Sequence, residues 1–548
     1  MRDSQSNVSH SHGTRGQALW KQDLVSGFLV FLLALPLCLG IAMASGFPPV
    51  AGILTAVVGG LLSSWAGSAR LTIKGPAAGL IVIALGAVTE LGGGDGVLGY
   101  RRALGTIVVA ACLQMLFAAL RAGRLGDLFP SAVVHGMLAA IGVTICARQV
   151  HVLLGVAPVA RAPLGLLAEV PGSLARLNPE IALIGGLGLG LLFGHAALSR
   201  RVTWPRRIPA PLLVLAVAVP LGLGFDLEHA HTFTFSHAVF SVGPDHLVNL
   251  PSNLRTALTF PDFSGVLSVP GFKYVVMFAL VGSVESLLTV KAVDLLDPEQ
   301  RRSDLDKDLF ATGLGNLVAG LLGGLPMISE VVRSSANLNQ GAKSRLSNFF
   351  HGLFLLLFVA FAPGLIHRIP LAALASMLIF TGVRLASPGE LVKAYRVGAE
   401  QVLIFCVTLV VTLATDLLVG VAAGIVLKAG VHLFNGASPK ELFRPDIEEQ
   451  VGVDRVVLRV RGAAVFTNFL AFKKLLNRHA QAPRIEVDLT EARLVDHTVM
   501  QRLHELAVER ARAGLQFQVL GLEHHRGMSS HPLSARKKAP AGDLGLTP

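Results

Sequence analysis

The sequence is poor in what a soluble catalytic protein displays. Charged residues are 15% of its 548 positions and aromatic residues 6%, with three tryptophans, three tyrosines and four cysteines. So little charge cannot solvate a globule of this size, and the same composition excludes disorder, collagen and coiled coil. Cys38, Cys112, Cys146 and Cys406 all lie in apolar runs, with no CxxC and no Cys/His spacing. A disulfide framework or zinc site is therefore not expected, and the thiols read as small buried hydrophobes. No nucleophile–base set or metal-ligand cluster stands out, so neither enzyme chemistry, nor a cofactor, nor a metal is expected. Residues 1–21 are polar without an apolar core, so no cleavable signal peptide is expected.

What fills the chain instead is apolar. Hydrophobic residues make up 52%, glycine adds 58 more, and the mean hydropathy is +0.61. A soluble protein has roughly 45–50% apolar residues with glycine included. The chain reads as an integral membrane protein. Its net charge of +12 does not call for nucleic acid, because lysine and arginine collect in cytoplasmic loops.

Apolar runs fall near 22–45, 50–66, 76–91, 103–120, 131–154, 181–199 and 208–225. After a polar stretch, 226–271, come 272–291, 306–324, 329–340, 347–366, 370–385, 399–415 and 417–434. The pattern predicts a polytopic α-helical membrane protein of 14 spans in two seven-helix repeats, 22–225 and 272–436. An odd number of spans per repeat makes the two inverted in the membrane. Loops on the terminal side hold Arg121, Arg124, Arg200, Arg201, Arg206, Arg207, Lys291, Arg301, Arg302, Lys307, Lys343, Arg345, Arg384, Lys393 and Arg396. The opposite loops hold Arg101, Arg102, Arg161, Arg176, Arg255, Lys273 and Arg368. That bias predicts cytoplasmic termini and an extracytoplasmic 226–271 loop.

Past a linker at 437–450 the pattern changes. Residues 453–462, 484–490 and 515–522 read as strands, and 466–480 and 497–514 as amphipathic helices. This alternation predicts a small α/β domain over 451–523. The tail 524–548, with Arg536–Lys538, is expected to be disordered.

Two runs are too short to cross as full helices, 76–91 and 329–340. They hold the third and tenth places, corresponding positions in the two repeats. Each follows a GGL element and an extended segment: Val57–Leu80 and Gly320–Leu338. Such paired short segments point to a midplane site in a transporter. Two half-helix starts facing each other would bind an anion through free N–H groups and dipole ends, without metal. Gly75-Pro76 suits the first start, and Ala77, Ala78 and Gly79 let a ligand approach the backbone. In the second, Ser329 is the expected cap, and Glu330, Val331 and Val332 supply N–H groups. Arg333 is either an anion-attracting charge or half of a structural pair. Glu285, with Thr289 one turn on, is a lone acid in an apolar run and a candidate proton carrier; its structural alternative is an ion pair with Lys74 or Arg333. Lys74 and Glu330 flank the two starts. Either they pair across the site, or Lys74 meets the anion and Glu330 takes the proton.

These strings, LALPLCLGIAMASGFPPVAG, KGPAAG, VESLLT and VVRSSANLNQGAKSR (Val331–Arg345), in this order, resemble the SulP anion transporters, relatives of the mammalian sulfate/chloride exchangers. GAAVFTN and VDLTEARLVDHT resemble a STAS domain. The resemblance implies a core domain moving against a gate domain, a cytoplasmic STAS domain, a homodimer in the lipid bilayer, and a bacterial inner-membrane location. It places the anion between Pro76–Gly79 and Glu330–Ser334, and a coupling acid at Glu285. Relatives using sodium carry aspartate there, so glutamate favours the proton. The LPLCLGIAMASG and KGPAAGL strings lean toward bicarbonate, although Lys74 stands where many relatives have serine. Some regulatory relatives are phosphorylated on a serine after the aspartate that corresponds to Asp496. Here His497 and Thr498 follow, and Thr498 is a regulatory candidate by proximity, its structural alternative being a helix cap.

The function expected is secondary active transport of a small inorganic anion, of bicarbonate or sulfate type, by proton symport. The alternatives are a membrane anion sensor acting through the STAS domain, a channel, and sodium-coupled or exchange transport of a dicarboxylate or chloride.

Overall fold

A computed structural model describes residues 9–121, 123, 130–160, 162–202, 209–236, 238–249, 258–299 and 301–539. Arg124, Arg161, Arg206, Arg207 and Arg255, counted above, lie outside the described residues, as do 1–8 and 540–548. The chain divides into two compact units, 1–126 with 141–385, and 127–140 with 386–548.

The first unit is helical. It holds α1 (Ser9–Ala44), α2 (Pro49–Leu61), α3 (Ile81–Gly92), α4 (Gly96–Ala119), most of α5 (Ser131–Leu153), α6 (Pro179–Arg201) and α7 (Ala210–Gly224). After a hairpin come α8 (Val269–Leu296), α9 (Leu305–Leu322), α10 (Val331–Asn339), α11 (Leu346–Phe361) and α12 (Leu371–Leu385). Each of the apolar runs contains a helix. Among the described residues, eight helices are long and apolar enough to cross a membrane, and four more apolar helices are shorter. The expected N-terminal tail is partly helical, since α1 begins at Ser9 rather than near residue 22.

Two short strands interrupt the helices. β1 (Ile73–Pro76) precedes α3, and β4 (Met327–Glu330) runs directly into α10. Between them in sequence, the polar 226–271 segment carries a hairpin of β2 (His231–Phe235) and β3 (Ala238–Val242). Helices pack closely where side chains are smallest: a Cβ built on Gly60 would lie 2.6 Å from Gly352 Cα, which brings α2 onto α11.

The second unit holds α13 (Pro388–Val397), α14 (Ala399–Ala414), α15 (Leu417–Phe434) and the α/β domain. The domain's sheet has order β10 (His525–Gly527), β11 (Arg536–Lys538), β8 (Ala492–Val495), β6 (Arg455–Ala464), β7 (Arg484–Asp488), β9 (Gln516–Leu520), with β5 (Asp446–Val451) also on β6. β6 (Arg455–Ala464) pairs in parallel with β7 (Arg484–Asp488) and β8 (Ala492–Val495), and β7 with β9 (Gln516–Leu520). Helices α16 (Phe469–Arg478) and α17 (His497–Arg512) cover it, burying Phe469, Phe472, Val499 and Leu503 with Leu458 and Val487. Two expectations are corrected. The 437–450 linker carries a helix, Pro439–Phe443, and most of β5 (Asp446–Val451). The tail is not disordered as far as it is described: β10 (His525–Gly527) and β11 (Arg536–Lys538) pair with each other and dock on β8. The unbroken basic run Arg536–Lys538 hid a strand whose stability comes from the sheet edge it covers.

Candidate anion site

The site is built on the pairing of β1 with β4. They run antiparallel, with Ile73 opposite Glu330, Lys74 opposite Ser329, Gly75 opposite Ile328 and Pro76 opposite Met327. Each strand then turns into a helix. Polar side chains fix the pair from several directions. Asn316 accepts the Met327 N–H (2.6 Å) and donates to the Met327 carbonyl (3.1 Å). Asn348 accepts the Lys74 N–H (3.3 Å), Ser334 accepts the Ile73 N–H (2.9 Å), and Ser286 accepts the Ser329 N–H (3.2 Å). Isolated two-stranded pairings are marginal, so these side chains hold the crossing in place.

The helix starts differ from expectation in detail. Pro76 ends β1 instead of opening a helix, Ala77 is extended, and a 3-10 turn at Ala78–Leu80 leads into α3. Glu330, not Ser329, caps α10; its carboxylate accepts the Arg333 N–H at 3.0 Å. A carboxylate at a helix start is favourable by charge as well as by bonding. Val331 turns its side chain outward, 46% exposed, and Val332 is half-buried.

One strand position separates Lys74 from Glu330, and that decides the pairing left open above. Neighbouring strand residues point to opposite faces. Lys74 shares a face with Ser329, while Glu330 points the other way. Lys74, 2% exposed, donates to Asp308 (2.6 Å), Thr312 (3.0 Å) and Ser329 (2.9 Å). Its three protons are thus placed. Lys74 pairs with neither Glu330 nor Glu285, and it has no donor left for a ligand.

Arg333 is different. It is fully buried, and none of Nε, Nη1 and Nη2 reaches a hydrogen-bond partner. The Cys38 sulfur, at most a weak acceptor, lies beside it. Its Nη1 packs against Gly75, where any Cβ would collide with it. Five donors in apolar surroundings without an acceptor are costly unless a ligand or water completes them.

Glu285, on α8, faces the other strand-to-helix turn. Its carboxylate fills the space where a Gly79 side chain would stand, and its Oε2 is buried without a partner. It makes no salt bridge with Lys74 or Arg333 among the described residues. Thr289, one turn on, is buried too.

Asp496 and Thr498 lie in the second unit. Asp496 caps α17 through the Val499 N–H (2.6 Å) and accepts the Phe466 N–H (3.0 Å). It also meets Lys428 Nζ at 3.3 Å and His432 Nε2 at 3.2 Å, both on α15. Thr498 is not the cap; its buried hydroxyl accepts from Lys428 at 2.5 Å. Modification there would have to break that contact.

Sequence reasoning passed over Asp308, Asn316, Asn348, Lys428 and His432. Each is a polar residue inside an apolar run, the signal that an intramembrane polar group has a task.

Comparison with known proteins agrees with this architecture. The model of the Sulfate permease family matches residues 20–408. The bicarbonate transporter BicA of Picosynechococcus is 25% identical over 427 residues, 76% of this chain and 70% of that protein. The transmembrane domain of a cyanobacterial BicA superposes with a TM-score of 0.61 at 23% identity, over 74% of this chain and 97% of that one. The SLC26A9 structure superposes with a TM-score of 0.65 at 14% identity, covering 92% of this chain and 85% of that one. A transmembrane helical body of this fold and a family model spanning it lead to one statement: the chain belongs to the Sulfate permease family, whose members are anion transporters and not enzymes.

Proposed function

We propose that the protein is a secondary active transporter of a small inorganic anion, bicarbonate or sulfate, coupled to protons and working by alternating access. The observation that carries this reading is Arg333: a guanidinium fully buried, without a hydrogen-bond partner, at the start of a helix whose strand crosses another strand-to-helix turn. A negative solute completes its donors and is held as well by the amide ends of α10 and of the Ala78–Leu80 turn. Gly75, Pro76, Ala77 and Ala78 leave the approach open, and Ser334 braces β1 against α10.

Glu285 is the coupling group in this reading. A carboxylate opposite an anion repels it, and a proton on Glu285 removes the repulsion. Loaded with both, the site is electrically quieter than with either alone and can change its exposure to the two sides. Lys74, neutralised by Asp308, adds no net charge. The fourteen spans, inverted repeats, cytoplasmic termini, STAS identity of the α/β domain, inner-membrane location and homodimer complete the proposal; the antiparallel crossing of corresponding segments supports the inverted relation.

The test is uptake by the purified protein in liposomes, with bicarbonate and sulfate offered under an inward pH gradient, a sodium gradient, or neither. Accumulation driven by the pH gradient and lost in Glu285→Gln supports the reading. Unchanged pH-driven uptake in that variant removes Glu285 as carrier. Arg333→Ala with unaltered anion affinity removes the site.

A further inference from the structure

α11 brings a second basic group to the surroundings of Arg333. Asn348 and His351 are three residues apart on this helix and so share a face. Asn348 bonds the backbone of Lys74, and the next residue, Gly75, is the one against which Arg333 packs. His351 continues that face by one turn, and α10 and α11 are bonded one turn from each of the two basic residues, Asn337 donating to Ser347 at 2.9 Å. It is fully buried, and neither ring nitrogen has a hydrogen-bond partner. The other buried histidines are treated differently. His151 meets Ser173 and the Leu166 carbonyl, His497 the Leu533 carbonyl, His525 two carbonyls, and His432 the Asp496 carboxylate. Cys38, beside Arg333, and Ala56, beside Gly75, belong to one buried apolar cluster. Two basic side chains therefore share a region whose protein atoms complete neither.

The two differ in what they ask of a ligand. Arg333 offers donors only, whereas a neutral imidazole offers one donor and one acceptor. Sulfate and chloride bring acceptors only, and leave the bare ring nitrogen unmatched. A hydrogen oxyanion such as bicarbonate brings charged oxygens and one O–H. We infer that His351 is a specificity-determining residue of the anion site, accepting the O–H of a hydrogen oxyanion whose charged oxygens Arg333 holds. The inference rests on the reading of Arg333 as the anion's partner and narrows its substrate class. A buried site built around a ligand's O–H discriminates against ligands lacking it far better than an apolar pocket distinguishes sizes.

The experiment uses the full chain in liposomes, with initial uptake of labelled bicarbonate, sulfate and chloride measured side by side. The wild type is expected to favour bicarbonate. His351→Met is expected to raise the bicarbonate KM at least about tenfold, leaving sulfate and chloride within about twofold, as loss of one hydrogen bond to a charged ligand requires. His351→Gln keeps an acceptor and is expected to retain the preference for bicarbonate; it decides the question if the Met variant does not fold. A wild type that favours sulfate or chloride overturns the inference. So does an equal loss of all three anions in His351→Met, or no loss, or a Gln variant that folds without the preference. A wild type that moves no anion removes the transport reading itself, a separate outcome.

Discussion

The Glu285 carboxylate occupies the space that any side chain at position 79 would need. α8 and the first strand-to-helix turn are therefore fitted to each other at one glycine. Gly79→Ala is expected to displace the carboxylate and lower proton-driven uptake at least about tenfold, since a misplacement of about 1 Å in a working site costs on the order of a hundredfold. The fold should survive, because the collision is with the end of a side chain. Uptake assays paired with thermal unfolding in detergent check both statements.

Lys74 and Asp308 form a buried pair at 2.6 Å. Removing one partner strands the other, which is expected to destabilise by about 3–5 kcal/mol. Lys74→Met and Asp308→Asn should each lower the unfolding midpoint, and Lys74→Met with Asp308→Leu should recover much of the loss. Because Lys74 shares no face with Glu330, the double variant is expected to keep its anion KM. A large KM increase with normal stability would return Lys74 to the binding site.

Lys428 lies on α15 within reach of Asp496 and Thr498 of the α/β domain. Lys428→Met leaves the Asp496 carboxylate buried without the ammonium group that faces it. Hydrogen exchange is expected to rise in the first turn of α17 and at the C-terminal end of α15, with β7 and β9 unaffected. Lys428→Arg should restore most of the protection. Unchanged exchange in the Met variant would mean the pair does not fasten the domain.

Acid should weaken the α/β domain in two stages. Burial pushes His497 below its ordinary 6.5, so the unfolded chain binds the proton more readily, and stability falls as pH drops below that value. Burial alone would raise the carboxyl of Asp496, but Lys428 and His432 hold it well below the ordinary 3.8. The Thr490 bonds and Arg459 do the same for Asp488. Their contributions persist above the ordinary carboxylate range and are lost as pH falls through their lowered values. His497→Gln is expected to abolish the first stage and leave the second. Hydrogen exchange in β6 and β7 as a function of pH checks this.

Much of the helical body was legible because apolar runs of membrane length have few alternative structures. The crossing segments were legible for a related reason: 76–91 and 329–340 were too short to span. The register was not. A slip of one residue would have faced Lys74 toward Glu330, and no local pattern in KGPAAG or ISEVVR fixes that choice. It is set by Asn316 on α9, Asn348 on α11 and Ser334 on α10, side chains that lie outside both strings. The same holds for β11, a basic tripeptide whose strand form depends on β8 and β10.

The ladder between Ile73–Pro76 and Met327–Glu330 has one more consequence. Two helix starts tied by a common set of backbone bonds cannot separate like jaws. In the transport reading proposed above they travel as a single cradle, and access from either side changes through what slides past that cradle rather than through its opening.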